Sequence, residues 1–216
     1  MQRATRTTAR TLGAYAGVIA LQHGVSELLQ RGRTPQGLLI QAVGPPCRPE
    51  AVWHACLPAM TVLPSFRAAG AATVLVSLTM LVGSISFGRS QRLGLAVIGA
   101  SVLALLLGGG FVAPFIGLVG GAAATVGARV GQGRIQSEGP VALLGGLWPW
   151  PLVAMAVWLP GGWLLGRLFS EAMVRLSGAL FLVFDLGFPL LAVVTARARD
   201  LSGPNQTHEP SSIAPA

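Results

Sequence analysis

From Leu93 to Ala128 no residue carries a charge, and Gly108-Gly109-Gly110-Phe111-Val112-Ala113-Pro114 interrupts the run midway. A bilayer core is crossed by about 20 helical residues. The run is therefore too long for one upright crossing. It suits two short helices, 93–107 and 115–128, that meet at the glycine–proline break. At ~1.5 Å rise per residue both are short for a core of ~30 Å. They thin the bilayer locally or continue partway through the break. The break reads as a hairpin turn near the outer surface, or as a discontinuous helix of the kind that presents backbone ends to a polar ligand. No lysine follows the glycines and no soluble strand precedes them, so they do not form a phosphate loop.

Composition agrees with a membrane class. Apolar residues make up 52% of the 216-residue chain and charged residues 10%, against about 25% charged in a soluble domain. So few charges cannot cover a soluble surface. The expected fold is all-α: a polytopic transmembrane bundle of about six spanning helices in one domain, 1–196. The net charge is +8, and all 15 basic residues are arginine. They sit at the ends of apolar segments, where topology and lipid headgroups account for them without nucleic acid. The bilayer is the expected partner.

The spanning helices are expected at 11–30, 68–87, 93–107, 115–128, 141–165 and 176–195. The first could be taken for a signal peptide, but no small-x-small cleavage site follows it, and His23, Glu27 and Gln30 lie in its second half. Gly13, Gly17, Ala20 and Gly24 share one face of it, with His23 and Glu27 to one side, so the polar pair should look toward other helices. Ala100, Ala104 and Gly108, and then Gly117 and Gly121, give the third and fourth helices small faces. Such faces serve contacts within the chain or a homo-oligomer.

Residues 31–66 form a long non-membrane loop rich in proline. Gly37 to Val43 suits a short turn or strand, and Glu50 to Met60 a short interfacial helix anchored by Trp53. Trp148, Trp150 and Trp163 suit interfacial belts at the ends of the fifth helix, which Pro149, Pro151 and Pro160 should kink or shift. Leu168 to Arg175 is expected to be an interfacial turn. The tail, 197–216, is polar and proline-rich and is expected to be disordered. With six crossings, Arg3, Arg6, Arg10, Arg89, Arg92, Arg129, Arg134, Arg197 and Arg199 fall on the side of the termini. Arg31, Arg33, Arg48, Arg67, Arg167 and Arg175 fall on the other. The bias places both termini in the cytoplasm of a cell-membrane protein, with the loop outside.

Three groups of residues could carry chemistry. Cys47 and Cys56, the only cysteines, lie in the outer loop and suit a disulfide, or else two free structural thiols. Closing so short a loop stabilises it by roughly 2–3 kcal/mol in the chain-entropy model. The same loop holds Glu50 and His54, which with the cysteines have metal-ligand chemistry, although the spacing matches no zinc pattern. His23 and Glu27 form an intramembrane polar pair, serving either as a packing contact or as a functional site. Asp185, flanked by Phe184 and Leu186 and followed by Gly187 and Pro189, is the deepest charge in this layout. It needs a proton, an arginine or water.

At Gly44-Pro45-Pro46-Cys47, Trp53-His54-Ala55-Cys56 and Gly108-Gly109-Gly110-Phe111-Val112-Ala113-Pro114-Phe115, the chain resembles uncharacterised multi-pass membrane proteins of bacterial genomes, over residues 1–130. The resemblance implies a shared fold and carries no activity. The leading functional expectation is a membrane protein with a structural or interaction role and a disulfide-stapled outer loop. A small-solute or proton-coupled transporter would instead need His23, Glu27 and Asp185 to converge on one cavity. A loop metal or redox site would use Cys47, Cys56, His54 and Glu50. No catalytic residue, cofactor or metal is assigned.

Overall fold

The computed structural model describes residues 3–30, 34–42, 57–86, 91–129 and 139–202. Cys47, Glu50, Trp53, His54 and Cys56 lie outside them, as does the tail from residue 203. The described chain is mostly helical.

Helix α1 spans Arg3–Leu29 and starts earlier than the expected Thr11. The arginines of the first turns alternate with small residues, and those small residues continue the inward face. Ala4, Thr5, Thr8, Ala9, Leu12, Gly13, Ala16, Gly17, Ala20, His23, Gly24 and Glu27 are all buried, at the spacing of one helical face. After two short strands, β1 (Leu39–Gln41) and β2 (Pro58–Met60), come α2 (Phe66–Ile85), α3 (Gln91–Leu107) and α4 (Val112–Arg129).

These four helices pack antiparallel through glycine. A Cβ on Gly70 of α2 would lie 2.6 Å from the Gly24 carbonyl oxygen of α1, and one on Gly17 would lie 2.8 Å from Leu81 Cγ. As α1 runs from 17 to 24, its neighbour runs from 81 back to 70. On the other side of the bundle, a Cβ on Gly121 of α4 would lie 2.9 Å from the Gly94 carbonyl oxygen of α3. Backbones this close exclude any side chain, and the contact energy comes from dense packing. Gly120 closes against Leu12, Ala9 and Gly13, so α1 is held between α2 and α4. The buried serines Ser77, Ser84 and Ser101 donate to carbonyls one turn back at 2.6, 2.6 and 2.7 Å. They therefore leave no unmet hydroxyl in the core.

The hairpin between α3 and α4 lies at the end of the bundle where α1 finishes. Gly108 and Gly110 adopt positive φ (121° and 76°), and the Gly109 amide donates to the Ala104 carbonyl at 2.7 Å. The end of α3 is tied down from two sides. Thr73 of α2 donates to the Leu107 carbonyl at 2.9 Å, and the Val62 amide donates to the Leu106 carbonyl at 3.0 Å. Strands β1 and β2 pair antiparallel, with Ile40 opposite Ala59. Gln30 at the end of α1 donates to the Gln41 and Ala42 carbonyls. The interfacial helix expected over Glu50 to Met60 is thus a strand at its described end. Pro58 lacks an amide proton and opens β2, the place in a strand that tolerates it.

The second half comprises α5 (Pro140–Gly146), α6 (Trp150–Leu168), α7 (Ser170–Arg175), α8 (Ser177–Leu180), a π-helical turn (Phe181–Gly187) and α9 (Phe188–Leu201). The expected single helix 141–165 is divided at Leu147 to Pro149 because proline cannot donate the amide that would continue α5. The last helix does not stop at Thr195. It continues to Leu201, so Arg197, Arg199 and Asp200, expected in a disordered tail, are helical. Asp200 supplies the reason. Its two carboxylate oxygens accept the Ala4 and Thr5 amides of α1 at 2.9 and 2.8 Å. Gly145 of α5 closes on Arg199 and Ser202, and Trp148 Nε1 donates to Thr8 Oγ1 at 3.1 Å. The start of α1 and the end of α9 therefore meet.

Among the described residues three helical runs are long and apolar enough to cross a membrane: Phe66–Ile85, Pro140–Leu168 and Ser177–Leu201. Arg92–Leu107 and Val112–Val126 are shorter apolar helices.

Candidate functional site

Helix α1 delivers His23 and Glu27 to the hairpin turn between α3 and α4. Gly24 lies between them in sequence and sets the close approach to α2. Both polar side chains are held inside the bundle, at 4% and 0% exposure. They are spaced one helical turn apart, as the turn's glycines require. A Cβ on Gly108 would overlap the Glu27 carboxylate, with the carboxyl carbon 2.6 Å away. A Cβ on Gly110 would lie 2.7 Å from both Cε1 and Nε2 of His23. Glycine is needed at both positions twice over, for the positive φ and for the space that the two side chains fill.

The two groups do not satisfy one another. Both oxygens of Glu27 are buried without a hydrogen-bond partner among the described residues, so the pair is not the hydrogen-bonded packing contact that one reading of the sequence anticipates. An ionised carboxylate in such a place costs several kcal/mol unless a cation or donors compensate it. The Leu106 and Leu107 carbonyls are engaged by Val62 and Thr73, and Thr61 Oγ1 also approaches Leu107, at 3.4 Å.

Asp185 does not join this site. It lies half-buried in the π-helical turn, within electrostatic reach of Tyr15 of α1. Tyr15 is two turns from His23, roughly 12 Å along the helix at 1.5 Å per residue. Phe184 beside it stacks on Trp158 of α6 with ring centroids 4.0 Å apart, which fixes the π-helical turn against its neighbour. The structure thus unites two of the three polar residues expected within the membrane and places the third elsewhere. Cys47, Cys56, Glu50 and His54 lie outside the described residues. Among the described residues no three His, Cys, Asp or Glu side chains gather as a metal site.

Sequence reasoning singled out the glycine break and the polar pair separately and missed that they meet. It also missed Thr61, Thr73 and Asp200. A hydroxyl near a helix end and a lone acid near a polar tail are common, and nothing local distinguishes these. Compared with protein-family models, curated proteins and solved structures, the chain matches none.

Proposed function

We propose that this protein is a multi-pass integral membrane protein with a structural or interaction role. Its six crossings are α1, α2, α3, α4, the α5–α6 run and the run from α8 to α9. One observation carries this reading. The three long apolar runs bury only 33%, 22% and 22% of their most apolar stretches in the protein itself. Leu75, Val82, Val157, Leu164, Leu182 and Val194 point outward. In water that surface would far exceed the few hundred Å² of contiguous apolar area a soluble monomer exposes; lipid chains satisfy it.

The meeting of Ala4 and Thr5 with Asp200 supports placing both ends of the chain on one side. Arg3, Arg6, Arg10, Arg92, Arg197 and Arg199 cluster at that end, which favours the cytoplasm. The hairpin turn and the two-stranded sheet then face outward, with the loop of Cys47 and Cys56 beyond them and a disulfide between the two cysteines.

Membrane fractionation tests the reading. The protein is expected to stay in the pellet through an alkaline carbonate wash and to leave it only with detergent. Release by carbonate would refute integral insertion. An impermeant maleimide applied to intact cells should label Cys47 and Cys56 only after reduction. Labelling that requires cell lysis would reverse the topology.

A further inference from the structure

We propose that Glu27 is a proton-binding group that fastens the α3–α4 turn to α1. With the proton on, the neutral carboxyl group seats against Gly108. When the proton passes to water, the carboxylate leaves the seat and the turn is released.

The seat is built rather than incidental. Glu27 is fully buried and both its oxygens lack a hydrogen-bond partner among the described residues. It abuts the one residue of the turn whose missing side chain makes room for it. Something must neutralise such a carboxylate. A side-chain cation does not, among the described residues. Among the described residues the only titratable neighbour is His23 on the same helix, packed on Gly110. From α2, Gly70, Thr73 and Val74 face this end of α1, and Arg67 is exposed. The described parts of β1, β2, the end of α3, the turn and the first turn of α4 contribute no ionisable side chain.

A metal ion is a poor substitute. Hard cations take about six oxygen ligands. Gly108 walls one side of the carboxylate, and among the described residues no third His, Cys, Asp or Glu side chain joins Glu27 and His23. A proton needs no such shell. Release of the turn follows from the same contact: an ionised Glu27 that leaves for water takes away the side chain packed against Gly108, and the turn loses that support beside its hydrogen bonds at Ala104, Leu106 and Leu107. Burial comes from the protein's own helices, so the inference stands or falls separately from membrane insertion.

Hydrogen exchange read by mass spectrometry on the purified full chain in a neutral detergent, which needs no bilayer insertion, tests it from pH 5 to pH 9 with correction for intrinsic exchange. Protection of residues 104–115 is expected to fall at least tenfold as pH rises. Glu27→Gln, neutral at every pH, should keep the low-pH protection throughout, and His23→Gln should retain the wild-type fall. Gly108→Ala, whose methyl group occupies the seat, should be as open at pH 5 as the wild type is at pH 9. Flat protection in the wild type would overturn the proposal. So would a Glu27→Gln protein that opens with pH as the wild type does, or a pH response abolished by His23→Gln alone.

Discussion

Single residues at the α3–α4 turn carry the sharpest consequences. Gly108 has a φ of 121° and no room for a Cβ, so Gly108→Ala combines backbone strain of about 1–3 kcal/mol with displacement of Glu27. Gly99 offers the control. It lies on the exposed face of α3, and a Cβ added there would meet nothing within 4 Å. Alanine at that position should stabilise the helix by about 0.5–1 kcal/mol. Denaturant titration in mixed micelles should move the two midpoints in opposite directions. The polar residues of this site were legible in part. His23 and Glu27 share the small-residue face of α1, which is enough to turn them inward. That Gly108 and Gly110 form their seat was not legible, because the contact joins segments far apart in the chain and only the packed helices bring it about.

At the scale of elements, the bundle depends on close backbone approach and on one cap. Gly70→Ala places a methyl group 2.6 Å from the Gly24 carbonyl oxygen. The backbones must separate, at a cost of about 1–3 kcal/mol, which thermal unfolding in detergent would register. The carboxylate of Asp200 takes the place of an N-cap for α1. Asp200→Ala should cost about 1 kcal/mol and should speed exchange of the Ala4 and Thr5 amides while leaving α3 and α4 unaffected. The small faces of α1, α3 and α4 could be read from the spacing of glycine and alanine. The true ends of α1 and α9 could not. Arg3 to Arg10 and Arg197 to Asp200 are polar enough to pass for tails, and each is ordered by the other. Likewise Pro149 signalled a break in the fifth helix without giving its place, and the strand at Pro58 depends on a partner in β1.

For the whole molecule, the apolar surface decides between lipid and water. The densest packing joins α1 to α2 and α4, and α3 to α4, with Leu12, Met80 and Ile116 at the centre of a core that also takes in Leu152, Met155 and Ala192. Outside that core, α2, α6 and the run from α8 to α9 present leucine, valine and tryptophan outward. Composition alone pointed to this class. The structure adds which faces would meet lipid and shows that Gly17, Gly24, Gly94 and Gly121 are consumed by contacts within the chain. The most direct test introduces single cysteines at Leu75, Val157 and Leu182, each outward-facing, in a chain carrying Cys47→Ser and Cys56→Ser. In native membranes a water-soluble maleimide should fail to label all three positions, and should label them fully after unfolding in sodium dodecyl sulfate. Labelling of the three in native membranes at the rate of a free thiol would contradict the account, since those faces would then meet water.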